Sequence, residues 1–477
     1  MTEPLDQFAA FIETTRIEDI PNKVKIRARH ILVDCIAAII GGIAEPEIQQ
    51  LLKNNTALGL GGGGAGRLAK ILGTNLHCDN MTAALINGTA GTVLEMDEGS
   101  QFARGHPGMH VLPALLAAVH NNPNPTSITV TGSQFLRAFI IGYDVAARMG
   151  IGTSLRPSMH PHGTWGVIGG AASIAALWGL NANNIKTYLN IASSLSLATS
   201  RKTMLEGGTV RNAYTGVSNQ MAHIAYTLFQ SGFSGEADGI NSVFGSVVST
   251  GFDADKACEG LGQRYEMTRN YFKLYACCRY NHAALDALWI MIGRHEVLRD
   301  ISQISSVEVR SYFLAAELNE QSPKNVLSGK FSVPFAIATT LVNRSSEIAS
   351  FTKEAINNPQ ISKLARKVTV IEDSAMSAKL PDLRPANVTI TLVNGEQLTA
   401  SVETNRGDWQ DPYTPEQLFD KYLSLTMRIW TFEQAKSVYD QILLLDEQII
   451  SGASFSNNLP NNDQDKQHKS GLVFSTI

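Results

Sequence analysis

The feature that most constrains the fold is a long succession of helical segments between residues 81 and 250, rich in Ala, Gly and Ser. Apolar residues recur there at helical spacing, and small side chains allow neighbouring helices to approach closely. The clearest members are residues 133–149, 167–180, 185–198 and 217–231. The same spacing at residues 5–12 and 24–39 extends the pattern towards the N-terminus. The sequence therefore predicts a large, all-α domain.

A different pattern follows residue 258, where short β-branched runs alternate with helical segments. Residues 301–311, 368–371, 388–393 and 397–402 predict strands, and Asn394-Gly395 predicts the turn of a hairpin. Helical spacing returns at residues 415–425 and 432–444. We expect a mainly α protein, with a helical domain at 1–265 and a smaller α+β domain at 266–408. Helices at 409–452 are predicted to return to the first domain, and the polar residues 453–477 to be disordered.

The composition limits the choice of partners and compartment. The formal net charge of −4 and the pI near 6.3 give no case for binding nucleic acid or an anionic membrane surface. Five scattered cysteines without CxxC spacing argue against a disulfide framework and a structural zinc site. The most apolar segment, residues 31–43, is too short to span a bilayer. We expect a cytoplasmic protein with no nucleic-acid or membrane partner.

Residues 95–110 hold an unusual density of titratable groups for a chain that is 17% charged. They lie between two apolar segments, as the loop of an active site does, although an exposed turn is the alternative. Pro107 suits the first position of a helix, which puts His106 at the helix N-terminus. There the helix dipole favours a neutral imidazole and a bound anion, an arrangement suited to proton abstraction beside a carboxylate. The charged and imidazole groups are Glu95, Asp97, Glu98, Arg104, His106 and His110.

Further candidates lie in three other segments. His160 lies in a Pro/Gly turn before a small-residue helix, Arg211 follows two glycines, and Lys273 and His282 lie where the second domain begins. A capping turn for His160 and a solvated Arg211 are the plain alternatives. Several cations, imidazoles and a few carboxylates together suit a small polycarboxylate that reacts through a carbanion or an enolate.

Other chemistries have weaker support. His106 and His110 are four residues apart, as metal ligands on a helix can be, but Pro107-Gly108 lies between them and no third ligand is evident. The glycine-rich run at 58–66 contains a GxGxxG match without the strand and the acid that a dinucleotide site requires. No GxSxG motif is present. A metal-dependent hydrolase stays an alternative.

These residues resemble the MmgE/PrpD family, which includes 2-methylcitrate dehydratase, cis-aconitate decarboxylase and iminodisuccinate epimerase. The resemblance covers residues 20–444 and rests on the order and spacing of several short motifs. They are Asn87-Gly88-Thr89-Ala90 before Glu95-Met96-Asp97-Glu98, His106-Pro107-Gly108, Gly142-Tyr143-Asp144, His160-Pro161, residues 273–278 with His282, and residues 330–335.

The resemblance implies a helical domain with an α+β lid, an active site in the cleft between them, a homodimer, and no organic cofactor or metal. It makes His106 and His160 the active-site histidines, with Asp97 in the acidic motif and Lys273 and His282 on the lid side. Two residues depart from the family pattern: Glu95 replaces an aspartate, and Arg211 replaces a lysine. Because arginine does not give up a proton, Arg211 can hold a carboxylate but cannot act as an acid.

The sequence thus predicts a cofactor-independent lyase for a small di- or tricarboxylate. His106, His160 and Asp97 are the expected catalytic residues. The expected substrate-binding residues are Glu95, Arg104, Arg211, Lys273 and His282. The reaction expected first is 2-methylcitrate-type dehydration, with cis-aconitate decarboxylation or epimerisation of a related dicarboxylate as alternatives. A catalytically silent carboxylate-binding protein is the alternative of another class.

Overall fold

The computed structural model describes residues 3–57, 68–119, 130–447 and 459–460. The described chain is mainly α with a small α+β part, which confirms the predicted fold class. The glycine-rich run at 58–66 and nearly all of the predicted disordered tail lie outside the described residues.

The first part of the described chain is built from eleven helices and two short strand pairs. The helices are α1 Pro4–Thr14, α2 Asn22–Ile43, α3 Pro46–Ala57, α4 Asn80–Val93, α5 Pro107–Val119, α6 Gly132–Gly152, α7 Gly166–Trp178, α8 Ala182–Ser194, α9 Arg201–Leu205, α10 Ala213–Gln230 and α11 Ala254–Cys258. The antiparallel pairs are β1 Ala69–Lys70 with β2 His77–Cys78, and β3 Thr153–Leu155 with β4 Ser249–Phe252. The helices predicted within residues 133–231 are all present.

The later part combines nine helices with one sheet. The helices are α12 His282–Arg294, α13 Phe313–Ala316, α14 Val326–Lys330, α15 Val333–Asn343, α16 Lys353–Ile356, α17 Pro359–Ala365, α18 Ser374–Ser377, α19 Pro415–Thr426 and α20 Phe432–Leu443. The strands are β5 Ile304–Ser311, β6 Val368–Glu372, β7 Ala386–Leu392 and β8 Gln397–Val402.

Helix α5 lies at the centre of the helical part, and every one of its residues is buried. Pro113 lies inside this helix and has no N–H to donate to the carbonyl of Met109. The side chain of Asn219 on α10 replaces the lost bonds, since its Nδ2 donates to Met109 O at 3.0 Å and its Oδ1 accepts from Ala114 N at 2.9 Å. A buried backbone group thus keeps a partner, and α5 is fixed against α10.

Helices α4 and α10 cross at a point where both carry glycine. A Cβ atom on Gly88 would lie 2.8 Å from the Cα of Gly216, too close for any side chain. This contact confirms that small residues allow the helices to approach closely. It also holds α4, which precedes the loop at residues 95–106, against the helix that follows Arg211.

The four-stranded sheet has the order β6-β5-β7-β8. Strands β5 and β6 are parallel, and the chain that connects them crosses over through α13–α17. Strand β7 pairs antiparallel with both β5 and β8. The predicted hairpin turn is present at Asn394-Gly395, where Gly395 has a φ of 87°. Alternate residues of β7 are buried, as expected for a sheet with helices on one face.

The C-terminal helices α19 and α20 pack against α2. The Nζ of Lys421 on α19 contacts the carboxylate of Asp34 on α2 and donates to the carbonyl of Met96 at 2.6 Å. The same Asp34 accepts from the backbone N–H of Glu98 at 2.8 Å. Two buried side chains from distant parts of the chain therefore hold the loop that begins at Glu95. The domain boundaries themselves stay a prediction.

Candidate active site

The loop between α4 and α5 has an unusual backbone. Glu95 and Arg104 adopt left-handed conformations, with φ of 57° and 55°, although neither is glycine. Backbone bridges pair Ser100 with Gly105 within the loop, and Gly99 with Tyr271 from the later part of the chain. Since such conformations persist only when the surroundings impose them, this loop is held in one shape.

His106 immediately precedes α5, as the sequence predicts, and it is 6% exposed. Its Nδ1 lies 2.6 Å from the carbonyl oxygen of Glu98 and 2.9 Å from Oδ2 of Asp97. A carbonyl oxygen can only accept, so Nδ1 carries a hydrogen and donates it. In the neutral ring Nε2 then holds a lone pair. No described residue bonds Nε2, which leaves this nitrogen for a ligand in the pocket.

Asp97 is fully buried beside His106, and neither of its oxygens has a hydrogen bond with good geometry among the described residues. Its Oδ1 lies 3.8 Å from Nζ of Lys273. Burial alone raises the pKa of the Asp97 carboxyl, but the charges of His106 and Lys273 outweigh it and hold the pKa below its ordinary value. Asp97 is therefore an ionised carboxylate next to the ring of His106.

The ring of His162 lies between His106 and His160, with ring centres 4.7 Å from each. Nδ1 of His160 accepts a hydrogen bond from the backbone N–H of His162 at 3.0 Å. Neutral His160 must therefore carry its hydrogen on Nε2. Burial, together with the nearby charge of Arg211, lowers the pKa of both His160 and His162 well below its ordinary value. His160 is thus a neutral hydrogen-bond donor, the opposite tautomer to His106.

Glu95 forms the centre of a buried charge cluster. Its carboxylate contacts Nη1 of Arg211 and lies 3.3 Å from Nζ of Lys273, which also donates to the Glu95 carbonyl at 3.0 Å. Burial raises the pKa of Glu95, but Arg211 and Lys273 more than offset it, and the net shift is downward. Arg211, which precedes α10, and Lys273, from the later part of the chain, thus both contact the carboxylate of Glu95. This cluster connects the two parts of the protein beside the histidines.

These side chains border a pocket with about 490 Å³ of empty space, including the solvent at its mouth. Residues of the helical part and of the α+β part both line it. His106, His160 and His162 lie on one side, and Glu95 is the carboxylate among the lining residues. Its arginines are Arg104, Arg201, Arg211, Arg279 and Arg384. Such a pocket favours a ligand with several negative charges.

The structure brings most of the sequence-predicted site residues together. Glu95, Arg104, His106, His160 and Arg211 line the pocket. Asp97 and Lys273 lie behind this surface, where they support His106 and Glu95.

His282 lies deeper and does not line the pocket. Its Nδ1 accepts from Nη1 of Arg279 at 2.9 Å, and its Nε2 donates to the carbonyl of Cys277 at 3.3 Å. With both ring nitrogens in use, His282 positions Arg279, which does line the pocket.

Glu98 and His110 are the two other titratable groups of residues 95–110, and neither lines the pocket. An acidic residue in a charged loop is ordinarily solvated, but the carboxylate of Glu98 is fully buried and accepts from Gly108 N, Tyr143 and Asn270 at 2.8–3.0 Å. Burial raises its pKa to about 7. His110 is a packing residue, fully buried inside the first turn of α5. Its Nδ1 donates to the His106 carbonyl at 2.8 Å and its Nε2 accepts from Gly163 N at 3.2 Å, so no lone pair is left for a metal.

His162, Tyr271 and Arg384 are among the pocket residues that sequence reasoning did not assign. His162 was seen only as part of a turn, and its position between two histidines follows from the fold. Tyr271 reaches the pocket through the backbone bridge to Gly99, and Arg384 reaches it through a bond to Gln101. Arg384 lies shortly before the predicted strand at 388–393, and this position is the one sequence signal for it. No local motif marks this arginine as a pocket residue.

Comparison with known proteins agrees with this geometry. The model of the MmgE/PrpD N-terminal domain matches residues 6–256, and the model of the MmgE/PrpD C-terminal domain matches residues 275–445. The chain belongs to the MmgE/PrpD family. The resemblance inferred from the short motifs is thereby confirmed.

Curated relatives in the MmgE/PrpD family are enzymes. A cis-aconitate decarboxylase of Aspergillus terreus is 24% identical over 451 residues, which cover 90% of each chain. A cis-aconitate decarboxylase-like protein of Aspergillus oryzae is 22% identical, covering 90% of this chain and 91% of the relative. The mouse cis-aconitate decarboxylase is 22% identical over 76% of this chain and 75% of its own. This likeness supports a lyase of the dehydratase or decarboxylase type without defining its substrate.

Two further observations concern partners. Among the described residues, no group of three or more His, Cys, Asp or Glu side chains is placed to hold a metal ion. Within those same residues, no helix has both the length and the apolar character that a membrane crossing requires. The homodimer and the cytoplasmic location stay predictions.

Proposed function

We propose that this MmgE/PrpD protein is a cofactor-independent lyase that acts on a small di- or tricarboxylate in the pocket between its two parts. The observation that carries the proposal is the pair of histidines with opposite tautomers. His106 offers a lone pair on Nε2, and His160 offers an N–H on Nε2, on the same side of an arginine-rich pocket. One ring can exchange a proton with carbon while the other donates to a developing oxyanion.

The proton carrier in this proposal is His106. When Nε2 takes a proton the ring becomes positive, and the buried Asp97 carboxylate, 2.9 Å from Nδ1, stabilises that charge. When the ring gives the proton back, Nδ1 keeps its hydrogen because the Glu98 carbonyl still accepts it. The ring therefore moves protons only at the atom that faces the pocket.

The arginines stabilise the other charge. A carbanion beside a carboxylate spreads its electron pair onto the carboxylate oxygens, so negative charge grows there in the transition state. Arg211 is fixed by Glu95 and is permanently charged, and it binds without taking part in proton transfer. His160, neutral because it is buried, donates to the same oxyanion or to a departing hydroxyl.

Two reactions share this carbanion. In dehydration, His106 removes the proton, the C–O bond on the neighbouring carbon breaks, and His106 gives that proton to the departing hydroxyl, which leaves as water. In decarboxylation, a C–C bond to a carboxylate breaks, carbon dioxide leaves, and the electron pair of that bond passes to a carbon beside a second carboxylate. His106, in the form protonated at Nε2, gives its proton to that carbon and then takes a new one from solvent. The names of the relatives favour decarboxylation of a cis-aconitate-type substrate. We therefore place it ahead of the 2-methylcitrate-type dehydration expected from the sequence.

The test is an NMR assay in heavy water with cis-aconitate, citrate, 2-methylcitrate and itaconate, each supplied separately. Decarboxylation gives a product that has lost one carboxylate and gained one deuterium, whereas dehydration gives an alkene with all carboxylates retained. Epimerisation is recognised by deuterium exchange without loss of water or carbon dioxide. To detect it, a dicarboxylate with a stereocentre beside a carboxylate is included as a further substrate. A matched His295→Gln variant, altered at a half-buried histidine away from the pocket, serves as control.

Binding without turnover of any of these acids contradicts the lyase proposal and supports the silent carboxylate-binding alternative. Turnover that disappears with a chelator and returns with added metal supports the metal-dependent hydrolase instead. Neither outcome is expected, because the histidines that the mechanism requires are both present and oppositely protonated.

A further inference from the structure

The described chain contains four arginines that are almost fully buried. They are Arg148, Arg211, Arg279 and Arg384. Three of them contact a buried carboxylate, since Arg148 pairs with Asp144, Arg211 with Glu95, and Arg279 with Asp408. Arg384, which is 3% exposed, has no carboxylate within ion-pair distance among the described residues, and Asp408, which pairs with Arg279, acts on it only from farther away. A buried charge without a directly paired counter-charge is costly, so this arginine requires an explanation.

The contacts of Arg384 are incomplete. Its Nη2 donates to the backbone carbonyl of Gln101 at 3.1 Å, while its Nε is buried without a hydrogen-bond partner. The guanidinium also lies over the ring of Tyr280, with 5.2 Å between Cζ and the ring centre. A carbonyl dipole and an aromatic face attenuate the desolvation cost of the positive charge but do not neutralise it. The residue lines the pocket, so a ligand can supply the missing negative charge.

We propose that Arg384, which the α+β part contributes to the pocket, binds one carboxylate of the substrate, in addition to Arg211 from the helical part. The inference rests on the proposed function and adds to it a second anchoring point. Arg211 already has a carboxylate in Glu95 and donates to substrate with its remaining N–H groups, whereas Arg384 offers its whole charge. The substrate class is therefore one with two carboxylates separated far enough to reach both arginines.

The position of Arg384 is fixed before substrate arrives. Gln101, in the active-site loop, accepts from Arg384 through its carbonyl and donates through Nε2 to the carbonyl of Asp382 at 3.0 Å. These two bonds of Gln101 connect the loop that carries His106 to residues 382–384, just before β7. A carboxylate on Arg384 is thus held in register with the histidine that exchanges protons, which is the orientation that catalysis needs.

The test compares Arg384→Gln and Arg384→Lys with wild type and with Arg310→Gln. Arg310 lies on β5 with an exposed side chain paired to Glu308, so its loss controls for charge alone. We expect Arg384→Gln to raise KM, and the inhibition constant of propane-1,2,3-tricarboxylate, by roughly tenfold to 100-fold, with kcat changed less than about fivefold. Arg384→Lys recovers part of the loss because it restores the charge but not the planar fork.

Thermal melting without ligand separates binding from a structural role. Removing an unpaired buried charge should leave the melting temperature of Arg384→Gln within about 3 °C of wild type, or raise it. A large fall in that temperature, or an unchanged KM and inhibition constant, overturns the inference. If wild type itself neither binds the tricarboxylate nor turns over any polycarboxylate, the proposed function fails and this inference fails with it. Binding by wild type that Arg384→Gln retains in full overturns the inference alone.

Discussion

Nδ1 of His106 lies 2.9 Å from Oδ2 of Asp97, a carboxylate with no exposed surface. The same nitrogen is 2.6 Å from the carbonyl oxygen of Glu98. These two acceptors have different consequences. The carbonyl is sufficient to keep the hydrogen on Nδ1, and the carboxylate adds a negative charge that stabilises the protonated ring. A substitution at Asp97 therefore removes the charge and leaves the tautomer in place.

The first prediction concerns Asp97→Asn. We expect kcat to fall by roughly 100-fold, because the ring of His106 becomes harder to protonate, while KM changes little since Asp97 lies behind the pocket surface. Steady-state kinetics on the substrate identified by NMR measures both constants. Asp420→Asn, at an exposed position on α19, is the matched control. A kcat within threefold of wild type in Asp97→Asn contradicts the role assigned to this carboxylate.

The second prediction concerns pH and the buried His223. Its ring nitrogens bond Asn80 and the Ala114 carbonyl at 3.0 Å each, and burial lowers its pKa to about 4. Because the folded state keeps this ring neutral while the unfolded chain protonates it below about pH 6.5, its contribution to stability is present above pH 6.5 and is lost as pH falls towards 4.

Urea unfolding of wild type and His223→Gln at pH 7 and pH 5 measures this effect. We expect the free energy of unfolding of wild type to fall by roughly 2 kcal/mol more than that of the variant over this interval. His295→Gln should behave as wild type. Equal pH dependence in wild type and His223→Gln would mean that the ring is protonated in the folded protein.

The third prediction concerns the pair Lys421 and Asp34, which holds the active-site loop from behind. Lys421→Met leaves Asp34 buried without its counter-charge and should lower the free energy of unfolding by about 3–5 kcal/mol. Adding Asp34→Asn removes the isolated charge, so the double variant should recover more than half of that loss.

Lys436→Met is the control for this cycle. Lys436 forms an exposed pair with Asp440 on α20, and its loss should cost less than about 1 kcal/mol. Chemical denaturation of wild type, Lys421→Met, Asp34→Asn and the double variant gives the coupling energy between Lys421 and Asp34. Additive effects of the two single substitutions would show that the buried pair does not act as a unit.

Local sequence signals predicted much of the fold. Pro107 begins α5, Asn394-Gly395 turns between β7 and β8, and the small residues of α4 and α10 meet at Gly88 and Gly216. Each of these depends on the conformational preferences of a few neighbouring residues or on helical spacing. Such preferences can be read from the chain without knowledge of its three-dimensional contacts.

The site was predicted in part, and what was missed depends on long-range packing. Glu98 looks solvated in a charged loop, but Tyr143 and Asn270 close over it from distant elements. The tautomers of His106 and His160 depend on which backbone group faces each ring. Arg384 is 278 positions from His106 in sequence, and long-range contacts with Gln101 and Tyr280 bring it to the pocket. No local pattern contains these relationships.

Kinetics of His106→Gln in heavy water measure whether His106 exchanges a proton with substrate carbon. We expect kcat and the rate of deuterium incorporation both to fall by roughly 10²–10⁴-fold, while inhibition by propane-1,2,3-tricarboxylate stays within about threefold of wild type. His295→Gln should match wild type in all three quantities. Turnover and deuterium incorporation within a few-fold of wild type in His106→Gln would show that another group carries the proton.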